Sequence, residues 1–414
     1  MESVMTFEEK LNEYARLLVR VGVNVQKGQD IVLRCSVENY PFARKLVKEG
    51  YEAGAREVII FWSDAVSSRI SYDYAEASVF ENIPDWKAES MNKYAREGAA
   101  FISIAGGDPE AFKGVDSAKL LASAKASDKA YDVFYKRMSA SEIPWNVAAI
   151  PTEKWAQKVF PGIPVAEAME KLWENIFKSV RIGEGDAVKA WQEHDAFLAE
   201  MSRKLNEQQF DALHYENSLG TDFTVGLAEN HIWEGGSEAD SQGNRFIANM
   251  PTEEIFTMPD CRRAEGKLVS ALPLSYEGNM IHNFAFTFHE GKVVDFSAED
   301  GMETLERMLG SDEGSRRLGE VALVPDDSPI SNMKTLFYNT LFDENASCHF
   351  ALGRCYETTV QGGASMSEDE LHAVGGNTSM IHVDFMVGTS DLRITGIKKD
   401  GTQVPVFVDG NWAL

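Results

Sequence analysis

The chain has 414 residues, 44% hydrophobic and 25% charged, which is ordinary for a globular protein and enough for two or three packed domains. Its net charge of -25 disfavours a nucleic-acid backbone or an anionic membrane surface as partner. Four cysteines are too few for a disulfide framework, and no run approaches the roughly 18 apolar residues of a membrane span. The N-terminal stretch MESVMTFEEKLNEYAR is acidic and amphipathic. It lacks the basic start and apolar run of a secretory signal, so a cytoplasmic location is expected.

Residues 7–23 carry Leu11, Tyr14, Leu18 and Val21 at helical spacing. The run IVL at 31–33 reads as a strand, and a helix follows through Ala43, Leu46, Val47 and Tyr51, ending before Gly54. Residues 57–62 read as a second strand, 78–96 as a helix, 99–105 as a third strand, 115–138 as a helix and 146–151 as a fourth strand. This alternation predicts an α/β domain with a mainly parallel sheet covered on both faces. The run GGDP at 106–109 reads as a turn and is neither a dinucleotide fingerprint nor a Walker motif. Residues 164–206 read as helical, with Met169, Leu172, Ile176 and Phe177 on one face. A polar stretch at 204–209 then puts a domain boundary near 180–208. The expected division is an α/β domain over 1–190 and an α+β, strand-rich, metal-binding domain over 191–414.

The second half reads as short strands between frequent turns, at 210–215, 221–227, 267–274, 281–289, 293–296, 392–398 and 403–408. EGK at 290–292 and KDG at 399–401 are hairpin signals. Helices are expected at 298–309 and 333–342. Potential ligands stand in this half. In SMIHVDFM at 379–386, His382 and Asp384 share one face of a strand. They suit either a divalent metal or a buried ion pair. Glu320, at the head of the apolar run EVALV, is either an exposed strand end or a carboxylate that needs a partner or a metal. Glu253 and Glu254 precede a β-prone pair. Cys348 and Cys355 flank His349 and read as small buried thiols, with thiolate ligation the alternative. His194, His231 and His372 read as surface residues, while His214, His282 and His289 are left open.

In this order, PTEEIFTMPD, the Gly319-Glu320 segment, CHFALGRCY and NTSMIHVDFMVG resemble the thermophilic-type metalloaminopeptidases, the aminopeptidase T, aminopeptidase S and PepS-like family. HYENSLGTDFTVGL and HEGKVVDFSAEDG are similar to the same family, and the resemblance covers essentially the whole chain. It implies a metal-dependent aminopeptidase that acts on peptides with a free N-terminus. It further implies two divalent ions per chain, zinc or cobalt with manganese as an alternative, and a homodimer. Carried over residue by residue, the metal ligands fall on Glu254, Glu320, His349, His382 and Asp384. The Glu253-Glu254 pair leaves a one-residue ambiguity, which the family's spacing resolves toward Glu254.

The resemblance also puts a catalytic tyrosine at Tyr356, which by itself reads as a packed strand residue. Glu253 is a further expectation, as carrier of a proton from water to the leaving amine. Three carboxylates against two divalent ions leave one positive charge, which a hydroxide would balance. Two such ions together activate a water and polarise a carbonyl. A two-metal phosphoesterase would use similar ligands but would usually need a basic cluster for phosphate, and none stands near these motifs. A metal-stabilised binding protein would not need Tyr356.

Overall fold

The computed structural model describes residues 5–183, 185–276 and 279–414, so the first four residues of the acidic N-terminal stretch lie outside it. The chain divides into two compact units, one of residues 1–193 and 237–251, the other of residues 194–236 and 252–414.

The first unit is α/β. Ile31–Ser36, Val58–Ser63, Ala100–Ala105 and Trp145–Ala149 are parallel strands in the order second, first, third, fourth. Asn249–Met250 adds a fifth parallel strand at the far edge. The first strand has neighbours on both sides, and Ile31, Val32 and Leu33 are buried. Its near-continuous apolar run is what a covered parallel strand requires. The Phe7–Leu17 helix opens with a capping box between Thr6 and Glu9, and the Tyr40–Ala53 helix closes on Gly54 in the left-handed conformation.

Some helical readings change. The expected helix at 78–96 begins only at Asp85, after a short turn at Ala77–Phe80. Pro84 explains this, because the residue before a proline is pushed out of the helical region. The stretch 164–206 is two helices, Val165–Ser179 and Ala187–Gln208, interrupted where Arg181 and Gly183 take positive φ. The helix expected at 333–342 is replaced by two short ones, Pro329–Met333 and Thr340–Asp343. Lys334 and Tyr338, both at positive φ, break the run between them.

The second unit is strand-rich. Its eight-stranded antiparallel sheet runs in the order Lys292–Ser297, Ala285–His289, Pro259–Val269, Asp222–Leu227, Ala212–Glu216, Arg393–Ile397, Gln403–Val408 and Asn411–Trp412. Two strand readings shift. The strand read at 267–274 is the end of Pro259–Val269, with Leu274–Tyr276 separate. That read at 281–289 divides into Asn279–Ile281 and Ala285–His289, with Asn283 at positive φ between them.

A second antiparallel sheet joins Ile255–Thr257, Leu318–Leu323, His349–Gly353 and His382–Met386, in that order. Aromatic rings lock the two sheets together. Phe350 lies 5.0 Å from Tyr215 and 5.4 Å from Phe223, and Phe385 lies 5.1 Å from Phe286, ring centre to ring centre. Such pairs add about 0.5–1.5 kcal/mol each beyond their buried area.

Gly353 ends the His349 strand with φ +107°, opposite His382. A Cβ there would stand 2.0 Å from the Ile381 carbonyl oxygen, which is backbone and cannot step aside. We predict that Gly353→Ala destabilises the protein by at least about 1–3 kcal/mol, the usual range for a strained backbone position. Chemical denaturation measures this, and an unchanged midpoint would refute the close approach.

Candidate metal centre

The four-stranded sheet has an apolar face and a polar face. Ile255, Val321, Leu323, Phe350, Leu352 and Phe385 belong to the core. Residues alternating with them point the other way. The register sets Glu320 and Asp384 on either side of Ala351, and His382 opposite Gly353. His349 precedes Ala351 by two residues and shares its face. The smallest side chains, Ala351 and Gly353, thus occupy the middle of the patch, and long polar side chains converge over the space they leave. Glu254 enters from just ahead of the Ile255–Thr257 strand.

All five expected ligands meet here. Glu254 Oε2 lies 3.1 Å from His349 Nε2. His382 Nε2 lies 3.0 Å from Glu320 Oε2 and 3.3 Å from Asp384 Oδ1. The side chains form two triads, Glu254–Glu320–His349 and Glu320–His382–Asp384. Within each, one donor atom per residue lies within 4.8 Å of the others. Glu320 belongs to both.

Both imidazoles are oriented from behind. His349 Nδ1–H donates to the Ser347 carbonyl at 2.9 Å, and His382 Nδ1–H donates to the Arg354 carbonyl at 2.7 Å. A carbonyl only accepts, so Nδ1 of each ring carries a proton and Nε2 is aimed into the cluster. Metal-bound histidines are held in this way.

The electrostatics are those of enclosed negative charge. Burial would lower the His349 imidazole, but its bond to Glu254 and the charges of Glu254, Asp384 and Glu320 raise it to about 10. Burial opposes the charge on His382 too, and Asp384 and Glu320 drive it well above its ordinary value. Burial raises Glu320, and the contact with His382 offsets this only in part. Burial pushes Asp384 the same way, but the bond to and charge of His382 leave it lowered. Carboxylates packed this closely need positive charge among them. Carboxylate oxygens and imidazole nitrogens are a donor set for a divalent ion such as zinc, cobalt or manganese.

Tyr356 stands at the edge of the cluster, 48% exposed. Its ring centre lies 4.9 Å from that of His382 and 5.6 Å from that of Phe256. Although the residue as a whole is half exposed, crowding of the phenol by the cluster, then the charges of Glu320 and Asp384, raise it well above the ordinary value, so it keeps its proton. Glu253 is buried outside both triads, its carboxylate 3.4 Å from His194 Nε2. All four cysteines are free and buried. Burial pushes the Cys348 thiol up to about 12 and Cys355 up to about 11, and neither belongs to a triad.

Two residues near the cluster gave no sequence signal, and a third, His194, contradicts its surface reading. Glu344 is raised well above its ordinary value by burial, then by the charges of Glu254 and Asp384. Asn345 is fully buried. His194, expected at the surface, is instead half-buried, with Nε2 2.8 Å from the Thr252 carbonyl. His231 corrects the same expectation, being buried with Nδ1 3.0 Å from the Ala228 carbonyl, while His372 is exposed as expected. His289 is exposed and paired with Glu265, and His214 bonds Thr224.

Comparison with known proteins identifies the family. Aminopeptidase AmpS of Bacillus subtilis (strain 168) is 46% identical over 99% of this chain and 100% of its own length. Aminopeptidase 2 of Geobacillus stearothermophilus is 44% identical over 99% of this chain and 98% of its own. The structure of wild-type AmpT from Thermus thermophilus superposes with a TM-score of 0.92 at 37% identity, covering 99% of this chain and 100% of that one. The sequence profile described as thermophilic metalloprotease (M29) matches residues 7–412. A match of that extent, with relatives this similar over their full length, means that the chain belongs to the thermophilic metalloprotease family, M29, and is a hydrolase of that family.

Proposed function

We propose that the chain is a metal-dependent aminopeptidase that would hold two divalent ions, one in each triad, with Glu320 belonging to both triads. The observation that carries this reading is the pair of triads sharing Glu320 on one sheet face. When bound, such ions lower the pKa of a water, polarise the scissile carbonyl and offer a position for the substrate's free α-amine. In this reading Glu254 and His349 hold one ion, and His382 and Asp384 hold the other.

The remaining roles fall to groups around the triads. Tyr356 keeps its proton at the edge of the cluster and donates a hydrogen bond to the oxyanion of the tetrahedral intermediate. Glu253, buried next to Glu254 in the chain, takes the water's proton and returns it to the leaving amine. Glu344 is the competing carrier, because its carboxyl is already raised by the neighbouring charges of Glu254 and Asp384. The substrates are peptides with a free N-terminus.

Elemental analysis tests the ligand assignment. Glu320→Ala is expected to lose both ions and all peptidase activity. His382→Ala and Asp384→Ala are expected to lose one ion and most activity while staying folded. Two ions per chain in all three variants would overturn the assignment.

Exopeptidase action is tested with one peptide in free and N-acetylated forms. The acetylated form is expected to be inert, since its amide nitrogen has no lone pair to offer as an amine does. Equal turnover of both would make the enzyme an endopeptidase.

Steady-state kinetics on a dipeptide tests the proton and oxyanion roles. Tyr356→Phe is expected to lower kcat by about 100–1000-fold with little change in KM, as for loss of one oxyanion donor. A kcat within about threefold of wild type, far short of that loss, would remove Tyr356 from the chemistry. Glu253→Gln should lower kcat while Glu344→Gln does not; the reverse order would give the proton to Glu344.

A further inference from the structure

Asn345 is 0% exposed and sits in the short helical turn Glu344–Ala346. Its Oδ1 accepts the backbone N–H of Glu253 at 2.7 Å. Its Nδ2 donates to the Leu341 carbonyl at 3.0 Å and to Glu344 Oε1 at 3.4 Å. The partners fix the orientation of the amide, because a backbone N–H only donates and a carbonyl only accepts. An aspartate in its place would lack the donor, and a leucine of similar shape would lack both.

The accepted N–H belongs to the residue just before Glu254. Two residues after Asn345, the Ser347 carbonyl accepts from His349 Nδ1. The stretch 345–347 therefore holds, from behind, both members of the 3.1 Å pair Glu254–His349. The other pair is anchored elsewhere, with His382 resting on the Arg354 carbonyl.

We propose that Asn345 is a positioning residue for one metal site only, fixing the spacing of Glu254 and His349 through the Glu253 peptide while leaving the His382–Asp384 site unaffected. The proposal rests on the two-ion reading above. Outer groups that orient ligands typically contribute about 10–100-fold in metal affinity.

Calorimetric titration of the metal-stripped full-length chain with cobalt(II) tests this. Asn345→Leu is expected to weaken one of the two binding events by about 10–100-fold, the range for loss of an outer-sphere partner, and to leave the other as in wild type. A His382→Ala titration identifies which event belongs to which site, and circular dichroism checks the fold. Should Asn345→Leu fail to fold, Asn345→Ser is used, since its hydroxyl is too short to reach Glu253. It is expected to give the same selective loss. Weakening of both events together would make Asn345 a merely structural residue, and two events of wild-type affinity would remove its role; either overturns the proposal. A wild type that takes one ion would overturn the two-ion reading separately. It would also overturn the claim that Asn345 serves one of two sites, whereas with two wild-type events the selective loss tests Asn345 alone.

Discussion

Enclosed negative charge is the constraint on which the second unit depends. Glu254, Glu320 and Asp384 converge on one small patch, and burial together with the charges of Glu254 and Asp384 holds the neighbouring Glu344 well above its ordinary value. Isolated carboxylates this buried would normally neutralise by taking up protons. Here the two imidazoles interleave with them, so each acid finds a basic nitrogen at 3.0–3.3 Å. The arrangement keeps Asp384 ionised in spite of its burial. A site that must be given positive charge, and whose nitrogens are already aimed inward, is pre-organised for cations.

The opposite face of the same sheet supplies the rigidity. Phe350 and Phe385 are packed among Tyr215, Phe223 and Phe286, which fixes the strand backbone from which the donors project. Phe350 lies directly between His349 and Ala351 in sequence, and Phe385 directly follows Asp384. Packing on one face therefore transmits to donor positions on the other, which is the precision a metal site needs. The bulge between Leu318 and Glu320 adjusts the register where the shared carboxylate must reach inward.

Much of this was legible in the sequence. The α/β character of the first unit followed from alternation, because apolar runs between helices have few other solutions. The pairing of His382 and Asp384 followed from the two-residue strand period. The convergence of Glu254, Glu320 and His349 on them did not follow from any local pattern, since strand order and register are long-range properties; only the family resemblance connected those residues. Helix limits failed where single residues at positive φ, such as Arg181, Lys334 and Tyr338, broke otherwise helical runs. The return of 237–251 to the first unit also left no compositional mark. His194 and His231 misled because polar neighbours in sequence are not neighbours in space: each imidazole meets a backbone carbonyl.

The donors come from four segments spread between Glu254 and Asp384, so cations bound there would tie together parts of the chain that are distant in sequence. In small zinc domains such ties are the folding energy itself. Here the division of labour differs. The sheet register, the Phe350–Phe385 packing and the backbone anchors of both histidines involve no donor-to-metal bond. These features position the donors on their own, and a cation bound there would add stability by mass action, roughly 2.7 kcal/mol at a free concentration of a hundred times Kd. Because packing and backbone contacts rather than one ion's coordination set their positions, the donors form a set of carboxylate oxygens and imidazole nitrogens that suits several divalent metals rather than one.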